Sequence, residues 1–177
     1  MKIISTKFKG LKLLNAPVFS DNRGHFREIF KNKLFSRKKF IFNCSSYSKK
    51  NVLRGLHLQT KFAQGKYISV LKGKIYDVAL DLRKNSKTYG KYFSTYLSAK
   101  KGTSVYIPPG FAHGFLSMDK ENIITYFCTE YRSKRHEIGI LWNDKDLKIK
   151  WPIKKPILSD KDSKNISFKE YCKNFIS

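Results

Sequence analysis

Hydrophobic and polar positions alternate along much of this chain. Across residues 74–83, Tyr76, Val78, Leu80 and Leu82 share one parity, and Ile75, Asp77, Ala79 and Asp81 share the other. A period of two predicts a β-strand. Gly73 precedes this run and Asn85-Ser86 follow it, as turn formers should. Residues 66–71, 91–97 and 122–129 are further predicted strands, rich in β-branched and aromatic side chains. Residues 28–37 are expected to hold a short helix and residues 167–175 a C-terminal one. Many short strands separated by Gly and Pro turns predict an all-β fold, a jelly-roll barrel or sandwich with short flanking helices. Such barrels turn alternate side chains inward, where they line a ligand cavity.

Composition changes the picture only in places. At 177 residues the chain is expected to form one domain, 1–177, large enough to bury a substantial core. No apolar run reaches membrane-spanning length, and the start lacks the apolar core of a signal peptide. Cys44, Cys128 and Cys172 form no CxxC pair and read as free thiols of a reducing cytoplasm. The formal net charge is +24. Such a balance suits an anionic partner. The lysines are scattered, however, with only short pairs such as Lys49-Lys50 and Lys100-Lys101, and no nucleic-acid motif accompanies them. Solvated lysine faces are the simpler reading, and nucleic acid is not expected as a partner.

The candidate chemistry sits in two apolar runs. The first is Val52-Leu53-Arg54-Gly55-Leu56-His57-Leu58-Gln59, which sets an imidazole beside a fixed cation. On strict alternation Arg54 takes one parity, and His57 and Gln59 the other. An imidazole turned into a barrel suits a general base at neutral pH and needs an acceptor to orient it. Any of thirteen carboxylates qualifies by sequence alone, and a structural core histidine is the plainer alternative. The second run is Ile107-Pro108-Pro109-Gly110-Phe111-Ala112-His113-Gly114-Phe115. It resembles the second motif of the cupin superfamily, whose metal-binding members also carry His-x-His in the first motif. Here Gln59 takes the second of those positions, and His25 and His136 lie in charged, loop-like contexts. No metal site is expected.

Taken in order, these runs resemble the dTDP-4-dehydrorhamnose 3,5-epimerase family, the RmlC-type cupins. The matching pieces are Phe19-Ser20-Asp21-Asn22-Arg23-Gly24-His25-Phe26-Arg27-Glu28, Ser46-Tyr47-Ser48, the two runs above, Gln64-Gly65-Lys66, Asp77-Val78-Ala79-Leu80-Asp81 and Ile140-Leu141-Trp142-Asn143-Asp144. The likeness covers residues 19–162. It implies a cofactor-independent epimerase that inverts C3, and also C5, of a nucleotide-linked 4-keto-6-deoxy sugar. The setting it implies is deoxysugar biosynthesis for capsule or lipopolysaccharide, in the cytoplasm.

The same resemblance assigns roles. His57 takes the position of the base, Asp162 that of its carboxylate partner (with Asp160 the nearby competitor), and Tyr126 that of the acid on the other sugar face. Lys66 and His113 fall near the sugar and its enolate oxygen. Arg23, Glu28 and Arg54 match nucleotide-sugar contacts, as do Glu137 and Lys161, and Tyr131 is expected to line the sugar pocket. Taken without the family, Tyr126 reads as a core aromatic, Lys66 as a turn lysine, and Arg23 with Glu28 as a surface ion pair. The family's N-terminal segment is exchanged across a homodimer, which would carry Arg23 and Glu28 to the partner's site. One departure concerns the base: many thymidine-specific members carry a Gln where this chain has Phe42. A phenyl ring stacks on a base but cannot hydrogen-bond its edge. GDP is therefore the alternative to dTDP, with a heptose as an alternative sugar. The competing functional readings are a sugar-nucleotide 3,4-ketoisomerase and a non-catalytic nucleotide- or polyanion-binding cupin.

Overall fold

The computed structural model describes residues 1–35 and 39–175. Its strands, in chain order, are β1 (Lys2–Ser5), β2 (Lys12–Asn15), β3 (Phe19–Asp21), β4 (Gly24–Phe26), β5 (Phe42–Lys49), β6 (Leu53–Gln59) and β7 (Lys66–Lys72). They continue with β8 (Lys74–Asp81), β9 (Tyr92–Ser98), β10 (Thr103–Ile107), β11 (Phe111–Ser117), β12 (Glu121–Cys128) and β13 (Glu137–Gly139). Two short helices, α1 (Asp160–Ser163) and α2 (Phe168–Phe175), follow. All four predicted strands are present, and α2 begins one residue after the predicted start.

The strands form two antiparallel sheets, ordered β1-β2-β10-β7-β12-β5 and β13-β6-β11-β8-β9, and β3 pairs with β4 in a separate hairpin. Spatial neighbours such as β2 and β10, or β6 and β11, are far apart in sequence, as in a jelly roll. The fold is all-β and cupin-like.

Alternation explains the layers. Ile75 and Ala79 of β8 face the space between the sheets and join Phe8, Ile68, Val70, Val105, Phe111, Phe115 and Ile124 in one core. Tyr76, Val78 and Leu80 point the other way, into a second core with Leu53, Leu56, Ile140, Trp142, Trp151 and Tyr171. The C-terminal third thus covers the outer face of the five-stranded sheet. Each fully buried large apolar side chain contributes about 1.5–3 kcal/mol. A third cluster, around Tyr67, Tyr106 and Phe35, covers the outer face of the other sheet.

The expected helix over residues 28–37 is replaced, where described, by a single 3₁₀ turn at Asn32–Phe35; Ser36 and Arg37 lie outside the described residues. Phe30 and Phe35 stack at 5.8 Å in the same aromatic cluster. A spacing of five residues does not put two side chains on one helical face, so their joint burial opposes an α-helix. The surface ion pair offered as the alternative reading of Arg23 and Glu28 does not form. Arg23 meets Asp21 at 2.6 Å, and Glu28 meets Lys31 at 2.5 Å.

Candidate active site

A cavity of about 340 Å³ opens between the two sheets, within the range that holds small ligands. One wall comes from the six-stranded sheet: Phe42, Cys44 and Ser46 on β5, Lys66 on β7, Tyr126 and Cys128 on β12. The facing wall carries Arg54 and His57 on β6, and His113 and Phe115 on β11. Arg132, Glu137, Ser159, Lys161 and Asp162 also line it, with Ser45 and Gln64.

Strict alternation separates Arg54 from His57, yet both line the cavity. The reason is a register shift: His113 pairs with His57 and Phe115 with Arg54, so three steps on β6 oppose two on β11. The extra residue is a β-bulge that re-aims Arg54 inward. Gly55 lies in the bulge with φ +110°, and a Cβ there would come within 2.5 Å of the His113 carbonyl oxygen. Only glycine suits that approach. Arg54 is held by the Ser48 hydroxyl at 3.0 Å and the Tyr47 carbonyl at 3.1 Å.

His57 Nε2 lies 2.5 Å from Asp162 Oδ1. Asp162 reaches it from α1, where the Ser159 hydroxyl caps the helix by accepting from the Asp162 N–H at 3.1 Å. Burial favours the neutral carboxyl, but hydrogen bonds from His57, Ser159 and the Gly55 N–H outweigh it and hold Asp162 below the usual carboxylate range. Asp160 is exposed and bonds Ser163 through its backbone carbonyl.

A second pair stands deeper. His113 Nε2 meets Asp77 Oδ2 at 2.7 Å, and both residues are buried. Across the cavity the Tyr126 and Ser46 hydroxyls share a hydrogen bond of 2.9 Å. Burial, only partly offset by Ser46, raises the Tyr126 phenol well above its ordinary range, so it keeps its proton. Burial likewise lowers Lys66, with the Glu137 charge opposing. Glu137 takes two bonds from Arg132, at 3.0 and 3.1 Å, and one from Lys161 at 2.5 Å. These outweigh its burial and hold the carboxyl at about 2.

His57, Tyr126, Asp162, Lys66, Arg54, His113, Glu137 and Lys161 therefore converge on one cavity. Arg23, Glu28 and Tyr131 do not line it. Arg23 lies on the exposed β3–β4 hairpin. Tyr131, expected in the sugar pocket, is 62% exposed and packs its ring against Phe42 at 6.2 Å. It follows the end of β12, where the chain has left the sheet that would turn it inward. Three residues escaped the sequence reading: Asp77, Ser46 and Arg132. An aspartate sharing a strand face with Ile75 and Ala79 was the signal available for Asp77.

The cupin-like fold thus sets an imidazole–carboxylate pair and a protonated phenol on facing walls of one cavity. The sequence model of dTDP-4-dehydrorhamnose 3,5-epimerase matches residues 5–170. A relative of that name from Shigella flexneri is 42% identical, covering 92% of this chain and 93% of its own. Another, from Methanothermobacter thermautotrophicus, is 40% identical over 91% of each. The Bacillus anthracis enzyme solved with TDP and PPi superposes with a TM-score of 0.89 at 42% identity, covering 94% of this chain and 99% of that one. The Legionella pneumophila epimerase in complex with dTDP-4-keto-L-rhamnose has a TM-score of 0.89 at 36% identity, covering 95% and 93%. The chain belongs to the dTDP-4-dehydrorhamnose 3,5-epimerase family.

Proposed function

We propose that this protein inverts C3 and C5 of a nucleotide-linked 4-keto-6-deoxy sugar by proton transfer alone, as a step in deoxysugar biosynthesis. One observation carries the reading: His57 and the protonated Tyr126 stand on opposite walls of one cavity. The C4 ketone acidifies the hydrogens on C3 and C5. His57, oriented by Asp162, takes the proton, and the bonding pair moves into an enolate whose charge sits on the C4 oxygen. Lys66 and His113 stabilise that oxygen, an interaction strengthened by exclusion of water. Tyr126 then delivers a proton to the opposite face, and the carbon inverts. Arg54, Lys161 and Arg132 supply cationic forks and points for the diphosphate.

Proton NMR in deuterated water tests the scheme. Label should enter C3 and C5 of a dTDP-linked 4-keto-6-deoxy sugar. Tyr126→Phe should lose inversion while retaining some exchange at the carbons His57 reaches. Label at C3 alone would mark a mono-epimerase, and none at either carbon would leave only a binding role.

The ligands of the Bacillus and Legionella enzymes favour thymidine as the nucleoside. Phe42 on the cavity wall keeps GDP as the second reading, because its ring stacks on a base but cannot hydrogen-bond the edge that identifies thymine. Calorimetric titration with dTDP and GDP separates the two: tighter dTDP binding supports thymidine, and tighter GDP binding reverses the assignment. A homodimer suits the same scheme. The β3–β4 hairpin leaves Phe19 60% and Phe26 67% exposed beside Arg23, a surface fitted to a second copy.

A further inference from the structure

The proton scheme leaves two thiols of the cavity wall unused. Cys44 on β5 and Cys128 on β12 both line the cavity. The register pairs Cys44 with Tyr126 and Cys128 with Phe42, so the two cysteines are diagonal neighbours on adjacent strands. We infer that Cys44 is a covalent modification site inside the cavity, open to soft electrophiles small enough to enter it, with Cys128 as the neighbour that activates it.

Three features support this. Cys44 is partly exposed and Cys128 buried, so an entering reagent reaches the first sulfur and not the second. The Cys128 thiol donates to Cys44, which favours a thiolate there. Lys66 on β7 and Arg132 beyond β12 add positive charge, and Tyr126 on β12, the other titratable group facing Cys44, stays neutral. The Cys128 hydrogen bond and these cations together outweigh burial and bring the Cys44 thiol down to about 7, while Cys128 is pushed upward. A disulfide is the wrong product here. Diagonal residues on neighbouring strands have Cα atoms about 7–8 Å apart, beyond the ~4.4–6.8 Å a disulfide spans. The geometry suits an addition or displacement at one sulfur instead. With iodoacetamide, the Cys44 thiolate forms an S–C bond, the C–I bond breaks and iodide leaves with the electron pair. The adduct then occupies space beside Lys66.

Alkylation of the folded protein with iodoacetamide between pH 5.5 and 9.5, read peptide by peptide by mass spectrometry, tests the inference. Cys172, which lies outside the cavity against the Tyr89 hydroxyl, is the internal control. An ordinary thiol titrating near ~8.5 is about 3% thiolate at pH 7, against about half for one titrating near 7. Lower basicity also lowers nucleophilicity, so Cys44 should react about three- to fourfold faster than an ordinary thiol at pH 7. Its rate should rise with a midpoint near 7, and Cys128→Ser should move that midpoint upward. A Cys44 midpoint above pH 8, or one unmoved in Cys128→Ser, overturns the inference. Only the protection arm rests on the proposed function. Excess dTDP should slow labelling of Cys44 and leave Cys172 unchanged. Fast Cys44 labelling without protection would keep the modification site and count against the nucleotide-sugar reading of the cavity.

Discussion

Two histidine–carboxylate pairs serve the same cavity and are built differently. His57 and Asp162 are 105 residues apart, and the carboxylate comes from a capped turn of helix outside the sheets. His113 and Asp77 sit on adjacent strands, locked by the β11–β8 ladder. The His57 side chain is 25% exposed and that of His113 5%; Asp77 is fully buried. A group that exchanges protons with a substrate must be reachable, whereas a fixed hydrogen-bonding group gains from burial. The outer pair is therefore suited to proton abstraction, and the inner one to holding a ring still. Substitutions in the outer pair should therefore change activity more than stability, and substitution of Asp77 in the inner pair should do the reverse.

The largest effect is expected at His57. His57→Ala should lower kcat by about 10³–10⁴-fold, the upper range for loss of a general base, with thermal unfolding little changed. An activity within tenfold of the unsubstituted protein would break the outer half of the comparison. Next comes Asp162→Asn, which keeps the shape but removes the charge that orients His57. A kcat loss of about 10²-fold with KM nearly constant is expected, since orientation acts on the base and not on sugar binding. The acid dependence has a definite sign. Asp162 titrates below its unfolded range, so its stabilising contribution is full above the ordinary aspartate pKa and is lost as pH falls through its folded value. Glu137 behaves alike, with its contribution lost between about 4.5 and about 2. The stability difference between Glu137→Gln and the unsubstituted protein should close across that window, measured by urea unfolding.

Much of this was legible before any coordinates. The alternation in residues 74–83 marked β8 and its two buried faces, because period two is a local property of the backbone. The helix 28–37 was misread because the burial of Phe30 with Phe35 is decided by a cluster that includes Tyr67 and Tyr106, far along the chain. Alternation alone set Arg54 opposite His57, because one added residue in a bulge inverts parity and Gly55 alone did not announce it; only the resemblance placed both at the site. The partner of His57 came from resemblance and not from pattern. Asp77 went unchosen because its contact with His113 crosses strands 36 residues apart. No periodicity encodes such a pair.

Asp77 offers the sharpest test of the inner half. Its Oδ2 engages His113, while Oδ1 is buried with no hydrogen-bond partner in the structure. A buried carboxylate with one satisfied oxygen is retained at a cost, and removing it strands the His113 nitrogen as well. Asp77→Ala should therefore destabilise the protein by about 1–3 kcal/mol, seen as a fall in melting temperature of about 2–4 °C per kcal/mol. Asp77→Asn keeps the volume and one acceptor, so it should recover most of that loss. Its kcat should change by less than that of Asp162→Asn, because His113 stays in position while its ring nitrogen meets a neutral acceptor. Should Asp77→Asn instead abolish turnover with the melting temperature intact, the inner pair would be the one exchanging protons, and the contrast drawn from exposure would be reversed.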